Sequence, residues 1–169
     1  MSPQHQPEEG PNGSCASLRA PGARPSGTPG IRKIIAGKEG FVAFGTRKWE
    51  LMRKVDELRE GAPIPVLIYP SYEGVPAKDT FLACWFGWYI GHAENPNGAY
   101  PLGMKHRPPT TGKYANDNTG HWAAFWHVAA LRKLPNQKCL TIGKIDTVKG
   151  GWRKDYPPGG PELVAPRIR

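Results

Sequence analysis

The sequence contains few cysteines, no long apolar run and none of the glycine-rich signatures of common enzyme families. Three Cys in 169 residues, none of them in a Cys-x-x-Cys pair, do not make a disulfide framework. No stretch reaches the roughly 18 apolar residues that cross a bilayer, and no apolar-centred signal peptide precedes the cysteines. Phosphate-binding glycine loops, nucleophile elbows and metalloprotease helices are also missing. These absences exclude a transmembrane protein and predict a cytoplasmic one with no membrane partner.

Composition divides the chain into three parts. Residues 1–30 hold six Pro and five Gly and carry no net charge, so they offer too little apolar surface to offset the entropy of ordering. We expect a disordered Pro/Gly-rich tail there. Residues 31–150 have the composition of a single globular domain, and residues 151–169 are typical of a basic Pro/Gly-rich C-terminal extension.

Charge and tryptophan content are the two unusual features of the folded part. The net charge of +9 lies entirely after residue 30. A basic domain attracts polyanions, and nucleic acid is the commonest polyanion in a cytoplasm. All six Trp follow residue 48; such rings fill cores, but beside Arg and Lys they also stack on bases. The combination indicates a nucleic-acid partner, either DNA or RNA.

Hydrophobic periodicity predicts an α+β domain with at least one helix and a strongly twisted mixed sheet. A helix over 47–60 would have Thr46 as its cap and Leu58 on its buried face. The segment 81–92 is apolar on both faces and is therefore predicted to be a central strand. Further strands are predicted at 41–44, 64–69 and 139–148.

The segment 121–134 fits two kinds of secondary structure. Trp122, Phe125, Trp126 and Ala129 recur at helical spacing and would form one apolar stripe. Alternation also fits, because Trp126 and Val128 would then share one face of a strand. Periodicity alone slightly favours the helix.

Side chains suited to catalysis or metal binding are few. His121 and His127 lie six residues apart, and neither a strand nor a helix brings two imidazoles at that spacing to one metal ion. We predict no metal and no cofactor. Acid–base chemistry would use His121 together with Asp117 or His127. That pairing defines an alternative function, a small hydrolase or nuclease acting on nucleic acid.

Aromatic and basic residues form a stronger pattern. Aromatic and hydroxyl side chains stand at predicted strand ends, and basic side chains stand on the adjacent loop, which suits a planar base stacked between rings and phosphates held at the rim. The other interpretation is that most of the Trp are core residues, and we favour it for Trp85 and Phe86. The predicted base-binding residues are Tyr69, Ser71, Tyr72, Trp88, His106, Arg107, Trp122 and Trp126.

Three segments resemble the EVE domains of the PUA-like superfamily. Residues 66–71 (VLIYPS) resemble the EVE strand that ends in a Tyr and a Ser, and residues 86–94 (FGWYIGHAE), followed by Tyr100-Pro101, resemble the next EVE strand. Residues 126–135 (WHVAALRKLP) are similar to the later strand that ends in Leu-Pro. The resemblance covers about 64–135. It implies a small pseudo-barrel with flanking helices that binds nucleic acid, often a modified base, without catalysis, and it implies a strand at 126–134.

Overall fold

A computed structural model gives the fold and describes residues 15–19, 40–69, 82–95, 97–108, 122–148 and 160–168. Within these ranges lie nine strands, one α-helix and two short 3₁₀ turns. The elements are β1 (Cys15–Arg19), β2 (Phe41–Thr46), α1 (Trp49–Arg59), β3 (Ile64–Tyr69), β4 (Leu82–Ala83), β5 (Trp85–Glu94), β6 (Ala124–Lys133), a 3₁₀ turn (Asn136–Lys138), β7 (Leu140–Thr141), a second 3₁₀ turn (Ile142–Lys144), β8 (Ile145–Thr147) and β9 (Glu162–Ile168).

Seven strands form the main sheet in the order β2-β6-β5-β3-β1-β9-β8, and β4 and β7 form a separate pair. Neighbours are antiparallel except β1 and β9, which are parallel. The described residues therefore form an α+β domain with a mixed sheet, as predicted. Their sheet is open, with β2 and β8 as its outer strands, so it differs from the closed pseudo-barrel that the EVE resemblance implies. No helix in these ranges has the length and apolar character needed to cross a membrane.

The helix packs on one face of the sheet, as its apolar spacing predicts. Met52 and Val55 are fully buried and join the largest core cluster. The prediction was wrong for Leu58, which is 46% exposed, because the sheet lies under the other side of the last helical turn. The cap also differs: Lys48 is the N-cap, and the Thr46 hydroxyl accepts a hydrogen bond from the Lys48 amide at 3.1 Å. The helix ends at Glu60 and Gly61, both in the left-handed region.

Strand β6 resolves the ambiguity at 121–134 in favour of a strand, and the helical preference was wrong. β6 pairs with β2 along one edge and with β5 along the other, so it is an internal strand of the sheet. Trp126 contributes to the core under α1, whereas Phe125 belongs to a cluster on the opposite face. Apolar residues on both faces of a central strand produce helical spacings by coincidence, since nearly every position is apolar.

Strands β1 and β9 lie in the two terminal segments that the sequence predicts to be outside the domain. β1 pairs with β3 from Cys15↔Tyr69 to Leu18↔Val66, and it pairs with β9 on its other side. The predicted disordered tail therefore differs from the structure at Cys15–Arg19. Composition misses such strands because their stability comes from backbone hydrogen bonds to existing strands rather than from their own apolar side chains.

The structure joins Cys84 and Cys139 in a disulfide, with their Cα atoms 4.5 Å apart. The sequence, with three Cys and no Cys-x-x-Cys pair, did not predict this bond. The pairing depends on β4 and β7, which place Ala83 opposite Leu140, next to the two cysteines. The predicted strand at 139–148 is consequently broken into β7, a 3₁₀ turn and β8.

Candidate nucleic-acid interface

The main sheet has two chemically different faces. One face, here called the helix face, packs on α1 through residues such as Val66, Tyr89 and Trp126. The alternate residues of the same strands point to the opposite face, here called the loop face, because part of segment 97–108 packs there through Tyr100. The aromatic and histidine side chains of the loop face include Phe41, Phe86, Trp88, Tyr100, His106, Trp122, Phe125 and His127.

Phe86 and Trp88 form a half-buried aromatic pair on this face. They stand two residues apart on β5, both are half-buried, and their rings meet edge to face at a centroid distance of 5.5 Å. Arg132 lies opposite Phe86 on β6, and its guanidinium carbon is 5.1 Å from the centre of the Phe86 ring. The sequence predicts Phe86 to be a core residue, but the structure leaves it at the surface beside a cation.

Phe41 extends this aromatic surface across β6. Phe41 and Trp88 both lie directly opposite Ala129, on the two sides of β6. The His106 ring stacks on Phe41 at 4.3 Å, and the His127 ring lies 4.5 Å from the same Phe41 ring. Rings from β2, β5, β6 and segment 97–108 therefore share one face of the sheet.

Arg107 holds segment 97–108 against the edge of the sheet. Its Nη1 donates a hydrogen bond to the carbonyl of Ala43 at 2.7 Å, and the amide of Ala43 donates to the carbonyl of His106 at 2.7 Å. The guanidinium also lies over the Phe125 ring, and Arg107 is only 9% exposed. These contacts cap the outer edge of β2. They place the cation inside the fold rather than at a phosphate-binding rim.

Trp122 lies at the far end of the loop face from Trp88. It packs on the cluster that contains Tyr100 and Phe125, and a Cβ added at Gly45 would come within 2.5 Å of its indole ring. Gly45 is opposite Phe125, and Trp88 is opposite Ala129, four residues further along β6. At 3.3 Å per residue the two Trp sites are separated by roughly 13 Å. The structure therefore gives two aromatic positions rather than one pocket.

Tyr69 and Trp126, two further predicted base-binding residues, are enclosed by the protein. Tyr69 is 1% exposed and packs with Ala83 and Ile142 under the small β4-β7 sheet. Trp126 is fully buried against Phe44 on the helix face. Neither ring offers a face to a base in this arrangement.

The other predicted residues fall partly outside the described ranges. Ser71, Tyr72, Asp117 and His121 lie there, so the predicted pairs of His121 with Asp117 or His127 are not described. His127 itself is described, and its Nε2 lies 3.2 Å from the Tyr100 hydroxyl. In the described part of the chain, the His127 ring thus contacts the Tyr100 hydroxyl and the Phe41 ring.

The pKa of His127 is lowered from the usual 6.5 to about 4, chiefly by burial and further by the nearby imidazoles of His92 and His106. Below pH 6.5 the unfolded chain binds a proton at this residue and the folded chain does not, so stability is complete above pH 6.5 and falls toward pH 4. The loss has an upper limit of about 3 kcal/mol, and solvent screening reduces it.

We expect His127→Gln to weaken this pH dependence, because the amide stays neutral throughout. Urea unfolding at pH 7 and pH 4.5 measures it: wild type should lose about 1–2 kcal/mol more than the variant over that interval. Carboxylates titrate in both proteins and cancel in the comparison. Identical losses in the two proteins would contradict the placement of His127 in a buried, cation-repelling site.

A polar network between α1 and β5 was not foreseen from the sequence. His92 Nδ1 lies 2.5 Å from Asp56 Oδ2, and His92 Nε2 lies 3.2 Å from Glu94 Oε1. Arg53 binds both oxygens of Glu94 at 2.6 Å, and Arg59 pairs with Asp56. The Arg53 guanidinium holds the pKa of Glu94 at about 2, with a smaller effect of His92. Carboxylates occupy both nitrogens of the imidazole, so this network fastens the helix to the sheet and leaves no nitrogen for a substrate.

The only available sequence signal for this network is the two-residue spacing of His92 and Glu94 on a strand; the partner on α1 is a tertiary contact. Among the described side chains, no group of three or more His, Cys, Asp or Glu is arranged to hold a metal ion. No protein-family model, curated protein or solved structure matches this chain.

Proposed function

We propose that this chain is a non-enzymatic module that binds nucleic acid through the loop face of its sheet. The observation that carries the proposal is the Phe86–Trp88 pair, which is half-buried on the loop face and has the Arg132 guanidinium against it. Rings of this kind stack on unpaired bases of any sequence, since every base has a π face, and a nearby Arg adds cation–π and phosphate contacts. A modified base or nucleotide is a ligand of the same class.

The EVE resemblance supports the same function, and we propose that the fold is an opened variant of the PUA-like pseudo-barrel. The three segments that resemble EVE domains begin in β3, β5 and β6, respectively. These strands are consecutive in the sheet, and the middle one carries Phe86 and Trp88. The segments that resemble one family are thus also the ones that build the proposed interface.

The cytoplasm remains our proposed compartment, and nucleic acid our proposed partner. A reducing cytoplasm keeps most thiols unpaired. In that compartment, the Cys84–Cys139 disulfide therefore forms only where its oxidation is controlled.

Salt dependence tests the proposal directly. We expect binding to a labelled single-stranded oligonucleotide to weaken with salt, with a log–log slope between about −2 and −3.5 for three to five phosphate contacts at roughly −0.7 each. Fluorescence anisotropy between about 50 and 300 mM salt measures the slope. Arg132→Gln should make it shallower by about 0.7. An affinity that does not change with salt would exclude phosphate contacts and leave the charge of +9 without this explanation.

A further inference from the structure

A basic segment, residues 131–145, borders the aromatic pair. It contains four cations and no Asp or Glu, and the side chains of all four cations are exposed. They are Arg132, Lys133, Lys138 and Lys144. A run of exposed cations without a carboxylate gives a positive potential that suits phosphate groups.

The segment is held beside β5 by a small set of contacts. The amide of Leu134 donates a hydrogen bond to the carbonyl of Cys84 at 2.7 Å. The two-residue strands β4 and β7 pair, and Ile142 packs with Tyr69 and Ala83. At the two ends of the segment, Arg132 and Lys133 lie in β6 opposite Phe86 and Trp85 of β5, and Ile145 begins β8, which pairs with β9. Between these ends, the disulfide from Cys139 to Cys84 adds a covalent connection, and Cys84 immediately precedes β5. Two-residue pairings are weak alone, so the covalent link has a large share in fixing this segment.

We propose that the basic segment binds the phosphates of a single strand of nucleic acid whose bases stack on Phe86 and Trp88, and that the Cys84–Cys139 disulfide switches this phosphate contact on. The inference rests on the proposed function and adds to it a phosphate site and its regulation. In the oxidised protein, the disulfide holds Lys138 next to the start of β5. In the reduced protein, the residues around Lys138 keep their attachment through β7, Ile142 and the end of β6 but lose the covalent link.

The switch operates by thiol–disulfide exchange with a small-molecule disulfide. The thiolate of one cysteine attacks that disulfide, forms a mixed disulfide and releases one small thiol. The thiolate of the other cysteine then displaces the second small thiol and forms the protein disulfide. Two protein thiols are oxidised, one small disulfide is reduced to two thiols, and the two thiol protons pass to those products. Excess small thiol reverses the reaction.

Binding in both redox states is the test. Full-length wild-type protein is equilibrated with oxidised or with reduced glutathione and titrated with a labelled single-stranded oligonucleotide. We expect the oxidised protein to bind about three- to tenfold more tightly at moderate salt, with a slope steeper by about 1.4, as two lost phosphate contacts would give. The Cys84→Ser/Cys139→Ser double variant should bind like reduced wild type and ignore the redox state. Cys15→Ser is the matched control and should keep the full redox response.

The outcomes separate the two proposals. Failure of the oxidised protein to bind any single strand would overturn the proposed function itself. Equal affinity and equal slope in both states would overturn the switch and leave the proposed function standing. Global unfolding on reduction, seen as loss of the thermal transition, would show that the disulfide is required for the fold. That result would also overturn the switch. Lys138→Gln/Lys144→Gln, with the disulfide intact, should reproduce the shallower slope; an unchanged slope would remove the phosphate site.

Discussion

Trp88→Ala is expected to reduce the affinity for single-stranded nucleic acid about ten- to hundredfold, because stacking on one base contributes about 1–3 kcal/mol. Trp88→Phe should keep most of the affinity, since a ring face remains. Trp88 is half-buried, so the alanine variant is expected to stay folded. Anisotropy titration measures the affinity, and a thermal melt of each variant confirms the fold.

Trp126→Ala is the matched control for this substitution. Trp126 is fully buried, and its truncation should cost about 3–5 kcal/mol of stability and lower the melting temperature sharply. Trp88→Ala should therefore lose affinity in the titration, whereas Trp126→Ala should lose stability in the thermal melt. Unfolding of Trp88→Ala, together with a hydrolytic activity that His121→Ala or His127→Ala abolishes, would contradict the module and favour the hydrolase.

Deletion of residues 1–20 is expected to destabilise the domain by about 3 kcal/mol or more. β1 bridges β3 and β9 in the sheet, so its loss removes several backbone hydrogen bonds at about 0.5–1.5 kcal/mol each and separates β9 and β8 from the other strands. For a chain of this size, the melting temperature should fall by roughly 6–12 °C. Differential scanning calorimetry measures the change.

Deletion of residues 1–14 is the control, because it leaves Cys15–Arg19 in place. That shorter deletion should change the melting temperature by less than about 2 °C, as the composition of the tail predicts. Equal melting temperatures for both deletions would show that β1 contributes nothing to stability. The sequence-based expectation of a disordered tail would then stand for residues 1–20.

The sequence by itself determined the elements whose pattern is local. The helix at Trp49–Arg59 follows from apolar residues at helical spacing and from Gly61 after it. Strands β3 and β5 follow from apolar runs bounded by Pro and polar residues, and the apolar character of both faces of β5 places it inside the sheet. Residues 86–94, one of the three segments that resemble EVE domains, include Phe86 and Trp88 of the proposed interface. Local periodicity is readable because each element buries its own face.

Only the tertiary structure decided which aromatic residues are accessible. The sequence predicts Phe86 to be a core residue and Trp126 to bind a base, yet Phe86 is half-buried beside Arg132 and Trp126 is fully buried under α1. The difference depends on which sheet face the helix covers, and bulges between β5 and β6 shift the register along those strands. The burial of an aromatic side chain thus depends on how α1 packs on the sheet and not on the residue type.

Pairings between distant segments were likewise decided by the fold alone. Cys84 is bonded to Cys139, which lies 55 residues away, and Asp56 contacts His92, which lies 36 residues away. β1 pairs with β3 across a segment of more than 40 residues. Composition and periodicity describe residues that are close in sequence, and they give no information on contacts between distant segments. Strand pairing brings β1 to β3 and the two cysteines together, because hydrogen-bonded strands lie about 5 Å apart whatever their separation in sequence. The packing of α1 on the sheet brings Asp56 to His92.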